Sequence, residues 1–400
     1  MDYTANLRKL YAFRFLSSLI PAYVIERLYW EERGMSIQMV VYTEIIYALT
    51  IVLLEVPTGV LADKWGRQRM LVLSSLLACG EFGILLVAEE FWHFALVVFL
   101  AGISRSASSG AENALLYDTL LLQGRAPSFE KQLGRLHACD FVSAMLAALC
   151  GSLLASRFGL ELNYWISLGS ALTALSLTLL LVEPASVAEE SAAGEAVSLK
   201  RSVVVSLRFF RNRPSVVTVL LSGMVTGTAI GFIDEFWQLY VNRLGLPVLY
   251  FGVMSAAFML LRLPGSLLAH RLADRFGIRG LLISVTALLA IGLSCAALSR
   301  GVLGLAAILA VCLFSGVIEP LTTGYLHHRI QDSSMRATID SFQSLGLNAV
   351  HMLAGLGFGY FASRYDVFRG YGFIAMLCAV FLVWFISASC RIEPAPGGEG

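Results

Sequence analysis

The chain has 400 residues, of which 57% are hydrophobic and 14% charged, with a formal net charge of +1 and a mean hydropathy of +0.74. Soluble domains carry about 25% charged residues, so this composition cannot cover a water-soluble surface. A net charge near zero gives no electrostatic basis for binding nucleic acid.

A helix crossing a hydrocarbon core of about 30 Å needs roughly 20 mostly apolar residues. Twelve such stretches are expected, over 10–30, 37–62, 69–88, 93–122, 137–157, 162–182, 215–241, 248–272, 279–299, 303–328, 338–362 and 370–390. Pro21, Pro57, Pro264 and Pro320 fall inside spans, where neighbouring helices can satisfy the freed backbone groups. The first apolar run lacks an A-x-A site and is followed by further spans, so no cleavable signal peptide is expected. The seven cysteines are scattered through apolar stretches without a CxxC pair or metal-ligand spacing. They read as reduced small hydrophobes, and no metal or cofactor is expected.

Orientation follows from Lys and Arg. With the N-terminus inside, nineteen of the 29 basic residues fall on cytoplasmic segments, seven on outer ends and loops, and three (Arg14, Arg105, Arg262) within spans. That asymmetry places both termini in the cytoplasm, as an even number of spans requires.

A polar stretch over 183–213, ending in a basic segment, reads as a cytoplasmic linker with an amphipathic helix. It separates two six-helix bundles, 1–182 and 214–400. The halves echo each other: Leu61-Ala62-Asp63-Lys64-Trp65-Gly66 recurs as Leu272-Ala273-Asp274-Arg275-Phe276-Gly277. Paired helical repeats around a central path are a transporter architecture.

The run Gly59-Val60-Leu61-Ala62-Asp63-Lys64-Trp65-Gly66-Arg67-Gln68-Arg69 resembles the loop motif of the major facilitator superfamily. The preceding Glu55-Val56-Pro57-Thr58 is similar to the variant in bacterial drug-efflux-like members, as are Ser109–Asp118 and Arg336-Ala337-Thr338. The resemblance implies an all-α membrane protein of twelve transmembrane helices in two pseudo-symmetric bundles. It also implies a conformational latch built from Gly59, Asp63, Gly66, Arg67, Arg69 and Asp118, with Asp274 in the second copy. There Ile278 and Gly280 replace basic residues, so the second latch is expected to be weaker or purely structural.

An ionised group near the bilayer centre costs at least about 2.5–3.5 kcal/mol on insertion scales, so it faces the bundle interior. Arg105, Ser109 and Glu112 share one helix face, with Glu112 about 15 Å from the cytoplasmic helix end. Glu112 is expected to be either a proton-titrating carboxylate or substrate anchor held by Arg105, or half of a static ion pair. Asp234 and Glu235 are adjacent, so one of them at most faces a cavity centrally. Glu319 precedes Pro320 and a helix break; Glu26 lies near the outer end of span one. Arg14 and Arg262 are candidate partners of these carboxylates or attractors of an anionic substrate. Glu44, Glu55, Glu81 and His351 read as structural, while Tyr23, Phe232, Phe236, Trp237 and Met224 suit an apolar wall for amphipathic ligands.

The leading expectation is a secondary active transporter in the cell (inner) membrane, monomeric, exporting small amphipathic compounds in exchange for protons by alternating access. An importer of a small polar or anionic metabolite is the nearest alternative; a non-transporting membrane sensor or scaffold is the alternative of another class. No GxxxxGK[ST], HExxH or GxSxG motif supports an enzyme.

Overall fold

The computed structural model describes residues 4–183, 210–327, 329 and 336–391. Most of the expected linker, 184–209, lies outside the described residues, as does His328. The side chains of Asp63, of 336–341 and of Arg391 also lie outside the described set.

Fourteen α-helices are found among the described residues, and no strand. In the first half they are α1 (Thr4–Ser18), α2 (Glu26–Glu32), α3 (Ile37–Trp65), α4 (Arg67–Val87), α5 (Phe91–Leu122), α6 (Phe129–Phe158) and α7 (Glu161–Leu179). In the second they are α8 (Pro214–Arg243), α9 (Phe251–Phe276), α10 (Ile278–Leu298), α11 (Val302–Ser315), α12 (Ile318–His327), α13 (Arg336–Arg364) and α14 (Val367–Ala388). Contacts divide the chain into two units, 1–195 with 247–256, and 196–246 with 257–400. The opening turns of α9 thus pack with the first unit: a Cβ at Gly252 would lie 2.5 Å from the Ala148 carbonyl oxygen.

Ten helical segments among the described residues are long and apolar enough to cross a bilayer. Their outer faces carry exposed Leu53, Val87, Leu267, Leu353 and Val383, which suits lipid and not water. The chain is a multi-pass membrane protein. Two expected spans fall short of that measure, and they are neighbours. The stretch 10–30 is not one helix: α1 stops at Ser18, and a 3-10 turn over Pro21–Ile25 precedes α2. The other is α7, which carries the buried polar residues Asn163, Ser167 and Ser170.

Those polar residues answer the break. Asn163 Nδ2 donates to the Pro21 carbonyl at 3.0 Å and to that of Gly151 at 2.9 Å. Ser167 Oγ accepts from the Ala22 amide at 3.1 Å, and Ser170 Oγ donates to the Leu16 carbonyl at 2.8 Å. From α6, Ser143 Oγ donates to the Phe15 carbonyl at 2.5 Å. Backbone groups released by a helix break away from water need such partners. Gly151 lets the break approach, since a Cβ there would sit 2.5 Å from the Pro21 carbonyl oxygen.

The second unit has its own break. The expected span 303–328 is interrupted at Gly316–Val317, one turn before Pro320, whose missing N–H leaves the Gly316 carbonyl without its helical donor. Any side chain at Gly316 would collide with the Arg262 backbone, and a Cβ at Gly265 would stand 3.0 Å from the Leu313 carbonyl oxygen. Two glycines therefore let α9 cross against the α11–α12 junction.

The repeat seen in the sequence has a local counterpart in each unit. Gly66 has φ 108° and Gly277 φ 71°, backbone that glycine adopts without steric cost, and each joins one helix to the next. Met70 and Leu71 sit in the core of the first unit, Leu281 and Leu282 at the same repeat positions in that of the second.

Asn163→Ala removes two buried donors and is expected to destabilise the protein by about 1–3 kcal/mol. Chemical unfolding in detergent measures this; an unchanged midpoint would mean the break does not depend on α7.

Candidate functional site

Each unit contains a cavity lined by charged side chains. In the first unit, Arg14 on α1 reaches two carboxylates: its Nη1 is 3.0 Å from Glu112 Oε2 on α5, and its Nη2 is 3.3 Å from Asp140 Oδ2 on α6. Ser18 Oγ also donates to Asp140. The three side chains face a cavity of about 290 Å³ whose wall includes Tyr23, Tyr47, Glu81 and Arg105. One guanidinium thus serves two carboxylates, an arrangement whose balance changes when either carboxylate takes up a proton.

In the second unit, Arg262 on α9 forks onto Asp234 of α8, with Nη1–Oδ2 at 2.9 Å and Nη2–Oδ1 at 2.5 Å. Bidentate pairs of this kind fix direction as well as charge. The pair lines a cavity of about 520 Å³ together with Glu319, Met224, Thr322 and Gln343. Gly223, Gly227 and Gly231, one turn apart on α8, form part of its wall.

The expected site residues separate accordingly. Glu112, Arg14 and Arg105 share the first cavity; Asp234, Arg262 and Glu319 share the second. Glu112 pairs with Arg14, not with Arg105 as the shared helix face suggested. Glu235 and Glu26 line neither cavity. Glu26 lies 3.8 Å from Arg27 Nη1, while Arg27 Nη2 pairs with Glu44 at 2.8 Å and its guanidinium covers the Trp30 ring. Glu81, read from the sequence as structural, stands on the first cavity's wall. Asp140 was not singled out, although it is an acidic residue inside an expected span, the signal that drew attention to Glu112. His351 stacks on Phe232 with ring centroids 4.5 Å apart, a packing role. Phe232, Phe236 and Trp237 are buried in an aromatic cluster and leave Tyr23 and Met224 as the cavity-facing members of that set.

Near the repeat motif, Arg67 pairs with Asp118 and donates from Nη1 to the Ala114 carbonyl at 3.2 Å. Glu183, just past α7, accepts from the Arg67 amide at 2.9 Å and the Gln68 amide at 2.6 Å. It caps the free N-terminal donors of α4. Gly66 supplies the bend; Gly59 lies within α3, Arg69 is exposed, and only the backbone of Asp63 is described. In the second copy, Asp274 is exposed, and Arg279 reaches instead to the end of α14, donating from Nε to Ser389 Oγ at 3.0 Å. Among the described residues no His, Cys, Asp and Glu cluster is suited to a metal ion.

A family model described as Major Facilitator Superfamily matches residues 10–339. The chain belongs to the Major Facilitator Superfamily. Similar proteins include the multidrug resistance protein MdtG of Escherichia fergusonii, 28% identical over 289 residues, covering 68% of this chain and 65% of that protein. The uncharacterized MFS-type transporter YuxJ of Bacillus subtilis is 28% identical over 232 residues, covering 57% and 56%. The chain thus spans less than two thirds of these curated relatives. Among solved structures, the nucleoside transporter NupG superposes with a TM-score of 0.76 at 13% identity, covering 97% of this chain and 99% of that one. The D-xylose-proton symporter gives a TM-score of 0.72 at 13% identity, covering 100% of both. At such identity the likeness establishes the fold alone, and it is the all-helical superfamily fold expected from the loop motif.

Within this superfamily member, the Arg14 cluster makes an asymmetric stability prediction. Arg14→Gln leaves two carboxylates without their shared partner and is expected to cost about 1.5–3 kcal/mol, the worth of hydrogen bonds to charged groups. Glu112→Gln leaves Arg14 with Asp140 and should cost clearly less. Unfolding in detergent compares them; equal losses would contradict a shared guanidinium.

Proposed function

We propose that this chain is a secondary active transporter that exports small amphipathic compounds in exchange for protons. Its two units rock between inward- and outward-open states. The observation that carries the reading is Arg14 held between Glu112 and Asp140 on a cavity wall. A proton arriving on either carboxylate releases that arm of the guanidinium, so uptake of a proton and rearrangement of α1, α5 and α6 become one event. That coupling is what an exchanger requires: an ion must change the equilibrium between two states by binding one better.

The drug-efflux direction draws on the MdtG relatives and on the Glu55–Gly59 motif variant. Superfamily membership supports a small-molecule substrate, and the excess of Lys and Arg on one side supports twelve spans with cytoplasmic termini. Bacterial relatives support an inner-membrane location, and the chain acts as a monomer in this reading. The Arg67–Asp118 pair with the Glu183 cap provides a charge cluster of the kind that holds one state closed until it breaks.

Reconstitution into liposomes with an imposed pH gradient tests this. Amphipathic dyes are expected to move against the proton gradient, and Glu112→Gln or Asp140→Asn should reduce the rate to below about a tenth, a barrier change of at least about 1.4 kcal/mol. Movement down the proton gradient supports an importer instead. A sodium gradient that replaces the pH gradient, or normal rates in both variants, overturns the proton assignment.

A further inference from the structure

The first unit's cavity holds two more charges than the Arg14 cluster uses. Glu81, on α4, is 8% exposed, lines the cavity, and forms no hydrogen bond or ion pair with a described residue. Arg105, on the neighbouring helix α5, lines the same cavity, and its guanidinium pairs with no described carboxylate. Three other arginines of this unit do meet carboxylates: Arg14 with Glu112 and Asp140, Arg27 with Glu44, Arg67 with Asp118. Glu81 is buried, so its ionised form without a counter-charge is costly, while Arg105 is exposed and free to turn to a ligand. Here one of each sign is left open toward one space.

The space between them has a definite character. Tyr23, 51% exposed, presents its ring to the cavity, and Phe82 lies behind it with ring centroids 6.2 Å apart. Tyr47 contributes a second ring, while Ser74 and Ser104, linked at 2.9 Å, add hydroxyls between α4 and α5. Aromatic faces accept an organic ammonium and pack an apolar body. The cavity, about 290 Å³, is at the lower end of the roughly 300–1,000 Å³ of drug-sized ligand sites. The occupant is therefore small.

We infer that this cavity is a binding site for a small zwitterion with an apolar body, its ammonium on Glu81 and its carboxylate on Arg105. A lone cation would leave Arg105 open, and a lone anion would leave Glu81 open. A molecule carrying both charges satisfies both without changing the net charge of the site. One carboxylate of the Arg14 cluster then remains the proton site, so ligand and proton occupy different groups. The inference rests on the reading that this cavity belongs to a transport path, and it deepens that reading by naming the substrate class.

The test uses the full chain in nanodiscs and three probes sharing one aromatic body: phenylalanine (both charges), phenethylamine (cation only) and 3-phenylpropionate (anion only). Affinities are measured by calorimetry without a pH gradient. Phenylalanine is expected to bind at least about tenfold more tightly than either single-charge probe, the worth of one added charge-assisted contact. Glu81→Gln should erase the advantage over 3-phenylpropionate, and Arg105→Gln the advantage over phenethylamine, each leaving the other advantage in place. These ratios are internal to each variant, so a partly unfolded preparation does not mimic them. Equal affinities for the three probes, no binding of any, or ratios unmoved by both variants overturns the inference. Failure of that pattern with proton-driven export of dyes intact removes the zwitterion site alone. The pattern without proton-driven movement removes the transport reading and keeps the site.

Discussion

A charge drawn into a helical bundle is stabilised by its opposite close by, and several of the ionised groups inside this protein are arranged in that way. In each unit one arginine meets the carboxylates of neighbouring helices: Arg14 for Glu112 and Asp140, Arg262 for Asp234. These contacts tie together α1, α5 and α6, and α8 and α9. Apolar residues cannot do this in a bilayer, where lipid and protein interiors are equally greasy and hydrophobic burial gives little direction.

The same logic governs the backbone. Both helix breaks lie beside the charged cavities: Ser18 closes α1 and bonds to Asp140, and Gly316 abuts the Arg262 backbone. Broken helices expose carbonyl and amide groups, and each break is met either by side chains of the next helices or by a close backbone crossing. Asn163, Ser143 and Ser170 serve the first, and the paired glycines 265 and 316 permit the second. The buried polar side chains of α7 and the interrupted first span are two sides of one solution.

The sequence made the helical architecture, the repeat and the superfamily legible because each is written locally: apolar length, Gly66 and Gly277 at turns, and a loop motif of fixed spacing. The helix breaks were less legible. Pro21 opens the 3-10 turn that breaks the first span, and Pro320 sits in the first turn after the second break; what the sequence could not show is the close packing at Gly151 and Gly316, which only the fold brings about. Pairing was the least legible. Spacing along α5 put Arg105 beside Glu112, whereas the guanidinium that reaches it comes from residue 14. Asp140 escaped notice near the end of its span, and Glu81 was assigned to structure because its helix was taken to lie off the path. Glu183 looked like the start of a linker; its role at the α4 N-terminus depends on a contact more than a hundred residues away.

The claim that matched charge organises each unit is tested most directly by exchanging the two members of the isolated pair. Asp234→Arg and Arg262→Asp, made singly, each leave two like charges together, and combined they restore one of each sign. Thermal melting of the detergent-purified protein is the measurement. The account predicts that both single variants melt far lower or aggregate, and that the double exchange recovers most of the parent's melting temperature. A double variant no more stable than the worse single one would contradict it.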